Sequence, residues 1–359
     1  MSPKWYCVNC GFQSELWSNY YWKCPRCGKP LSIKYDIQFN PKGAGLKRYE
    51  SLLPFTPDKT RGEGQTPIVI DENGRHTLVF KLEYLNPSGS FKDRGSALAL
   101  YYGYKMGYKE VVEDTSGNTG ISVTLYAKLY GMKPYIFMPK KSPSGKKLLV
   151  KLLGGEVVEA KDRSDASQKV LNYIDKRFYV AHTWSYFYVL GASTISYEVY
   201  ERHGIPDYVI SPIGSGGILL GLIRGFETLY ELGVVNKIPG FIGVQGYSVQ
   251  PVFKNMYGYE KEGESSDLAD GIMVVNPPRL HEILEYLRKY KGEIVLVGNT
   301  EIKSALKELY EQGFIVEPTS ATVWAAYKKI RDNLSKGSVL LPLTGSGLKM
   351  LDLLRNIIK

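Results

Sequence analysis

Glu110-Val-Val-Glu-Asp-Thr-Ser-Gly-Asn-Thr-Gly120 decides the fold. A short β-rich run, Glu110–Asp114, breaks into a loop of small and hydroxyl residues, and Thr119–Tyr130 beyond it has the spacing of a helix. The same step recurs along the chain. Strand-like runs at Lys133–Met138, Glu156–Glu159, Phe178–Ala181, Tyr208–Ser211, Phe241–Gln245, Ile294–Val297 and Ser338–Leu341 alternate with helical spacing over Ser144–Leu153, Asp165–Lys176, Gly191–His203, Gly217–Leu232, Glu301–Gln312 and Ser320–Leu334. Such alternation predicts α/β architecture with parallel, doubly wound sheets, because parallel strands need a crossover and a helix supplies it. One sheet of so many strands would be large, so two α/β domains are expected.

The 359 residues leave room for that arrangement. Hydrophobic residues make up 43% and charged residues 23%, which fits a globular chain and excludes a disordered or collagen-like one. No apolar run reaches the length of a membrane span, so no membrane partner is expected, and Met1-Ser2-Pro3-Lys4-Trp5 lacks a signal-peptide core, so a cytoplasmic location is expected. The net charge of +10 raises the question of a nucleic-acid partner. Lys and Arg are dispersed among Glu and Asp without a basic block, which reads as a solvated surface and not a nucleic-acid face. An anionic small substrate is compatible with it. With four His and no HExxH spacing, a catalytic metal is not expected, and no GxxxxGK[ST] phosphate loop occurs.

All four cysteines fall within the first 27 residues, as Cys7-Val-Asn-Cys10 and Cys24-Pro-Arg-Cys27. Two CxxC knuckles place four thiolates where they can close tetrahedrally around Zn²⁺, and Gly11 and Gly28 ease the turns. The alternative is two disulfides, which a chain without an export signal disfavours. Four ligands leave no open position, so the zinc would be structural. A small zinc ribbon over residues 1–36 is expected, followed by a linker around Asn40-Pro-Lys-Gly-Ala-Gly45.

Ligands of doubly wound sheets bind beyond the carboxyl ends of the strands, where glycine-rich turns lead into helix N-termini. Three loops qualify: Asp114–Gly120, Pro212-Ile-Gly-Ser-Gly-Gly217 and Leu343-Thr-Gly-Ser-Gly347. Each alone is as readily a plain turn; their shared position makes them a site. A fourth stretch, Asn86-Pro-Ser-Gly-Ser-Phe-Lys-Asp-Arg-Gly95, sets Lys92 just ahead of a helix. It reads either as an exposed helix-start lysine or as a partly buried amine with a lowered pKa, able to form a Schiff base.

The ordered set PSGSFKDRG, TSGNTG, GSGG and LTGSG resembles the fold type II pyridoxal-phosphate enzymes, the tryptophan synthase β-like class, over roughly residues 60 to 350. The resemblance implies a large cofactor-binding domain over residues 37–92 and 186–359, a small domain over 93–185, and pyridoxal 5'-phosphate in the cleft between them. It implies that Lys92 forms the Schiff base and serves as the catalytic base. Asn118 matches the residue bonding the ring oxygen, Gly214, Ser215, Gly216, Gly217 and Ile218 match the phosphate turn, and Thr344 matches the hydroxyl facing the pyridine nitrogen. Ser116, Gly117 and Thr119 match positions that meet the substrate carboxylate. Relatives are commonly dimers, so a homodimer acting on a small amino-acid substrate is expected.

Within that class the cysteine-rich ribbon, Thr344 in Leu-Thr-Gly-Ser-Gly-Leu-Lys349 and Glu317-Pro-Thr-Ser-Ala321 are similar to threonine synthases, lyases that turn O-phospho-L-homoserine and water into L-threonine and phosphate. Serine/threonine dehydratases and β-replacement enzymes using O-phosphoserine or O-acetylserine are the alternatives. One position departs. Many threonine synthases carry an arginine for the substrate phosphate where His182-Thr-Trp-Ser-Tyr-Phe-Tyr-Val-Leu-Gly-Ala192 places Tyr188. A phenol offers no charged fork, so His182, Thr183, Ser185, Lys140 or Lys141 would have to serve, or the substrate is not phosphorylated. His182 has two readings, a strand-end packing residue or a substrate-facing donor.

Overall fold

A computed structural model describes residues 2–357. Its first elements are the strands β1 (Lys4–Tyr6), β2 (Gln13–Glu15), β3 (Ser32–Lys34), β4 (Ile68–Asn73) and β5 (His76–Lys81). Then come α1 (Lys92–Lys105), β6 (Glu110–Asp114), α2 (Asn118–Leu129), β7 (Lys133–Pro139), α3 (Ser144–Leu152), β8 (Glu156–Ala160), α4 (Arg163–Lys169), β9 (Phe178–Tyr179) and α5 (Tyr186–His203). The remainder is β10 (Tyr208–Pro212), α6 (Gly217–Glu231), β11 (Gly240–Gly246), α7 (Pro251–Tyr257), α8 (Leu280–Lys289), β12 (Glu293–Val297), α9 (Asn299–Glu311), α10 (Pro318–Ile330), β13 (Gly337–Pro342) and α11 (Leu351–Ile357). Among the described residues no helix is long and apolar enough to cross a membrane.

The chain forms two compact units, residues 2–65 with Asn86–Gly191, and Thr66–Leu85 with Ala192 onward. The first holds a parallel sheet in the order β8-β7-β6-β9, with α1 and α2 packed together. Val112, Phe137, Ala160, Ala166 and Val170 fill a core between this sheet and its crossover helices. The expected strand Phe178–Ala181 stops at Tyr179, and Ala181 takes a left-handed φ of 49° that turns the chain before His182. The expected helix Asp165–Lys176 is α4 plus a 3-10 turn, Val170–Tyr173, and the chain leaves it through Lys176 at a φ of 58°.

The ribbon is part of this first unit. β2, β1 and β3 form an antiparallel sheet, and an aromatic cluster fastens it down: the Trp5 ring lies 5.8 Å from Tyr102 and 5.6 Å from Phe187, and Tyr20 lies 4.5 Å from Phe178. The Tyr102 hydroxyl donates to the Leu16 carbonyl at 2.6 Å and the Tyr20 hydroxyl to that of Tyr179 at 2.5 Å, so each polar tip buried by this packing has a partner.

The second unit carries a six-stranded sheet in the order β12-β11-β10-β13-β5-β4, parallel except for β4 at one edge. The β4–β5 hairpin turns through Gly74 at a φ of 62°, directly after Asn73, a pairing suited to a tight hairpin. Phe80, Trp324, Tyr327, Leu306 and Val339 belong to the core on one face of this sheet. Because β10 and β13 are parallel neighbours, the loops after Pro212 and Pro342 emerge at the same end.

Candidate active site

In the first unit, Lys92 is the first residue of α1, and its Nζ lies 4.7 Å from the Phe91 ring centroid and 5.6 Å from that of Tyr188. These faces accept a cation while keeping bulk water off part of the side chain. The preceding loop is held by Asp93, a fully buried carboxylate that accepts from the Ser88 N–H at 2.6 Å, the Ser88 hydroxyl at 2.5 Å and, across to α2, the Ser122 hydroxyl at 2.6 Å. The acid that follows Lys92 is thus a clamp that ties its loop to the helix opened by Asn118.

The Thr115–Gly120 loop leads into α2 with Gly117 as N-cap and no side chain capping it, so the positive end of the α2 dipole opens at this loop. The Thr115 hydroxyl accepts from the Gly117 N–H at 3.0 Å and the Thr115 N–H donates to Phe137 at 3.0 Å, bracing the loop on β7. Thr119 is buried; Ser116 and Asn118 are half-buried. A side chain at Gly117 would collide with Lys146, whose Cδ lies 2.3 Å from the position a Cβ would take. Lys146, in the first turn of α3, is buried, whereas Lys140 and Lys141 are exposed.

His182 is buried, and its Nδ1 pairs with the fully buried carboxyl of Glu113, whose other oxygen faces the His182 N–H at 3.4 Å. Its ring meets Tyr188 edge-on at 5.9 Å. Burial, and then Asp114, hold the Glu113 carboxyl well above the usual carboxylate range, while burial and the charges of Lys92 and Arg163 push the imidazole well below its usual value. Both shifts favour a pair with no net charge. Tyr188 itself is a packing residue: its hydroxyl lies 2.8 Å from the Ser96 hydroxyl, and its ring fills the space that Gly95 leaves open, where a Cβ would come within 2.5 Å of it. Gly191 likewise sits against the Arg94–Gly95 backbone. Where the family pattern would place an arginine, α1 and α5 are in van der Waals contact.

In the second unit the Gly214–Ile218 turn follows β10 and opens α6. Gly216 is the N-cap at a φ of 89°, with no side-chain cap, and a Cβ there would strike Ile283. A Cβ on Gly214 would lie 2.1 Å from the Gly271 carbonyl. A turn that only glycine can fill, ending in uncapped helical N–H groups, fits a dianionic phosphate. Thr344, after β13, is buried with its hydroxyl 3.2 Å from the Ser320 hydroxyl, which also accepts from the Gly345 N–H at 2.8 Å. The Glu317-Pro-Thr-Ser-Ala321 stretch thereby holds the Leu-Thr-Gly-Ser-Gly loop in place. Each unit thus carries donors of the kind a phosphorylated pyridine aldehyde needs, an amine at Lys92 in the first and a phosphate turn and a neutral hydroxyl in the second.

At the amino terminus the four cysteine sulfurs lie within 4.8 Å of one another, a cluster that could hold a metal ion. They are free thiols; Cys7 and Cys27 approach to 3.5 Å and Cys10 and Cys24 to 3.6 Å, contacts that run between the knuckles. Burial pushes the Cys7 thiol up to about 12, and the backbone N–H of Lys29 brings Cys27 down to about 6.

Glu113, Asp93 and Lys146 are absent from the sequence-based candidates. Glu113 left a trace, a carboxylate in a strand expected to be buried on both faces of a parallel sheet; Lys146 left none among the neighbouring lysines.

Comparison with known proteins agrees with this donor set. A family model for pyridoxal-phosphate dependent enzymes matches residues 59–345. Threonine synthase of Methanocaldococcus jannaschii is 26% identical over 377 residues, covering 96% of this chain and 92% of that protein. Threonine synthase of a Bacillus species is 30% identical over 319 residues, covering 85% and 89%. Among solved structures, maize serine racemase superposes with a TM-score of 0.69 at 22% identity, over 82% of this chain and 92% of that one, a likeness of fold. The chain is a fold type II enzyme and belongs to the pyridoxal-phosphate dependent enzyme family.

Proposed function

We propose that this enzyme converts O-phospho-L-homoserine and water to L-threonine and phosphate, by γ-elimination followed by addition of water at Cβ. The observation that carries this reading is that the threonine synthases it resembles align along nearly their whole length. The cofactor, when bound, supplies the electron sink. Lys92 holds it and moves the Cα proton, Asn118 faces its ring oxygen, the N–H groups of Gly214–Ile218 take its phosphate, and Thr344 faces the pyridine nitrogen without charging it. Ser116, Gly117 and Thr119 receive the substrate carboxylate. Lys146, buried beside Gly117, is a cation at that loop and supports a phosphorylated substrate. Cys7, Cys10, Cys24 and Cys27 hold a structural zinc, and the enzyme is a homodimer.

The test is to give the cofactor-loaded enzyme O-phospho-L-homoserine and follow phosphate and threonine together, with Lys92→Ala as the blank. Equal amounts of both products are expected. Phosphate-free, threonine-free mixtures would overturn the reading and turn attention to serine and threonine, the substrates a Tyr188 site without an arginine fork would suit, and then to O-phosphoserine.

A further inference from the structure

The buried pair His182–Glu113 has no part in the roles above, yet it sits beside Lys92. Glu113 is the penultimate residue of β6, two positions before the Ser116 loop, and His182 follows the left-handed turn at Ala181. Tyr188 is a neighbour of both, its ring 5.6 Å from Lys92 Nζ and 5.9 Å from the imidazole. Nδ1 is engaged by Glu113, and Nε2 makes no hydrogen bond among the described residues although the side chain is 8% exposed. A ring nitrogen without a protein partner, on a side chain nine-tenths buried and oriented by a buried carboxyl, is the arrangement of a proton donor to a ligand.

We propose that His182 and Glu113 form a proton relay that protonates the oxygen leaving the substrate side chain. The inference rests on the proposed function for its substrate. In the uncharged pair the Glu113 O–H donates to Nδ1, so the imidazole carries its own proton on Nε2. Burial favours this state for both partners, and the other charged groups around them, Lys92, Arg163 and Asp114, do not reverse it.

The chemistry requires such a donor. Breaking the carbon–oxygen bond of a phosphate monoester dianion without a proton would expel a phosphate trianion, a very poor leaving group. In the relay the carbon–oxygen bond electrons go to oxygen, which takes the Nε2 proton. The Glu113 proton passes to Nδ1, and the electrons of a Cβ–H bond, which Lys92 breaks once it has passed on the Cα proton, form the new Cβ–Cγ double bond. Lys92 has then gained one proton and the pair has lost one; return of that proton from Lys92 to Nε2, with the Nδ1 proton passing back to Glu113, restores both. In relatives that carry the arginine, its charge would hold the phosphate; a neutral relay releases it by proton transfer.

Two measurements test this. The first needs no cofactor: nitrogen-15 resonances of the histidines in the unloaded protein are expected to show His182 neutral with its proton on Nε2 from pH 8 to pH 6. A proton on Nδ1 alone, or a charged ring, overturns the relay. The second splits the reaction in heavy water. In Glu113→Gln and His182→Gln, deuterium exchange at substrate Cα is expected to stay within about threefold of the parent, while phosphate release falls about 100-fold or more, the usual contribution of a general acid. The cofactor's visible absorbance reports whether each variant has folded and loaded. Parallel loss of exchange and release assigns the pair to holding Lys92 and overturns the relay; unchanged release overturns it too. A parent enzyme that exchanges Cα of another amino acid and not of O-phospho-L-homoserine refutes the proposed substrate, and the same split is then read on that amino acid's leaving group.

Discussion

Tyr188→Arg restores in one step the arginine that many threonine synthases carry, and the packing around Tyr188 says it will not restore a phosphate site. The Tyr188 side chain is buried, its ring is seated over Gly95, and its hydroxyl is paired with Ser96 at 2.8 Å. Tyr188→Phe isolates the polar contribution. One neutral hydrogen bond is lost and a buried Ser96 hydroxyl is left to find another partner, a cost of about 1–2 kcal/mol. The arginine adds more. A guanidinium would displace the ring from Gly95 and sit near Lys92, while the nearest buried carboxyls, Asp93 and Glu113, are already engaged by Ser88, Ser122 and His182. An uncompensated buried charge costs about 3–5 kcal/mol. Urea unfolding of parent, Tyr188→Phe and Tyr188→Arg, read beside kcat/KM for O-phospho-L-homoserine, checks the order. The expected ranking is parent, then phenylalanine, then arginine, with no gain in kcat/KM for the last. An arginine variant as stable as the parent and about tenfold better on the phosphorylated substrate would refute the packing role assigned to Tyr188.

Three further outcomes are expected. Asp93→Asn replaces one of two acceptor oxygens by an amide that faces donors, so it should cost about 3 kcal/mol and loosen the Lys92 loop, seen as a lower thermal midpoint and faster loss of the cofactor's visible absorbance. Stripping metal with a strong chelator should release one zinc per chain and shift tryptophan emission to the red, because Trp5, Trp17 and Trp22 pack the ribbon against the rest of its unit. Burial alone would raise the Glu227 carboxyl, but Arg224, Lys289 at 2.6 Å and Tyr290 at 2.5 Å outweigh it and hold it below the usual carboxylate value. Its folded pKa is depressed, so its contribution is full above the unfolded value, about 4.3, and is lost as pH falls through the folded value. Glu227→Gln should therefore be about 1–2 kcal/mol less stable than the parent from pH 8 to 5, and the gap should close below that.

The glycine loops were legible because each lies directly after its own strand, and local order alone brings strand end, turn and helix N-terminus together. What joins residues distant in sequence was not. Glu113 and His182 meet because β9 lies beside β6 in parallel register, Val111 opposite Phe178 and Val112 opposite Tyr179, so the next residues of the two strands leave the sheet side by side. The βα pattern predicts parallel strands but leaves their order open, and in this sheet β9 returns next to β6 after β7 and β8 have been laid down on the other side. The same reasoning covers Ser320 and Thr344, which touch only because α10 crosses to the end of β13. The β4–β5 hairpin was missed for another reason. Its Asn73-Gly74 turn is a strong local signal, but β4 is an edge strand with three exposed residues in its middle, so hydrophobic alternation fails there. Tyr188 shows the limit of motif comparison. A departure from a family pattern marks a position as altered, and only its neighbours say what it became: at this position, the close approach of α1 to α5 through Gly95 and Gly191 leaves no space for the missing guanidinium, and the tyrosine that replaces it is a packing residue.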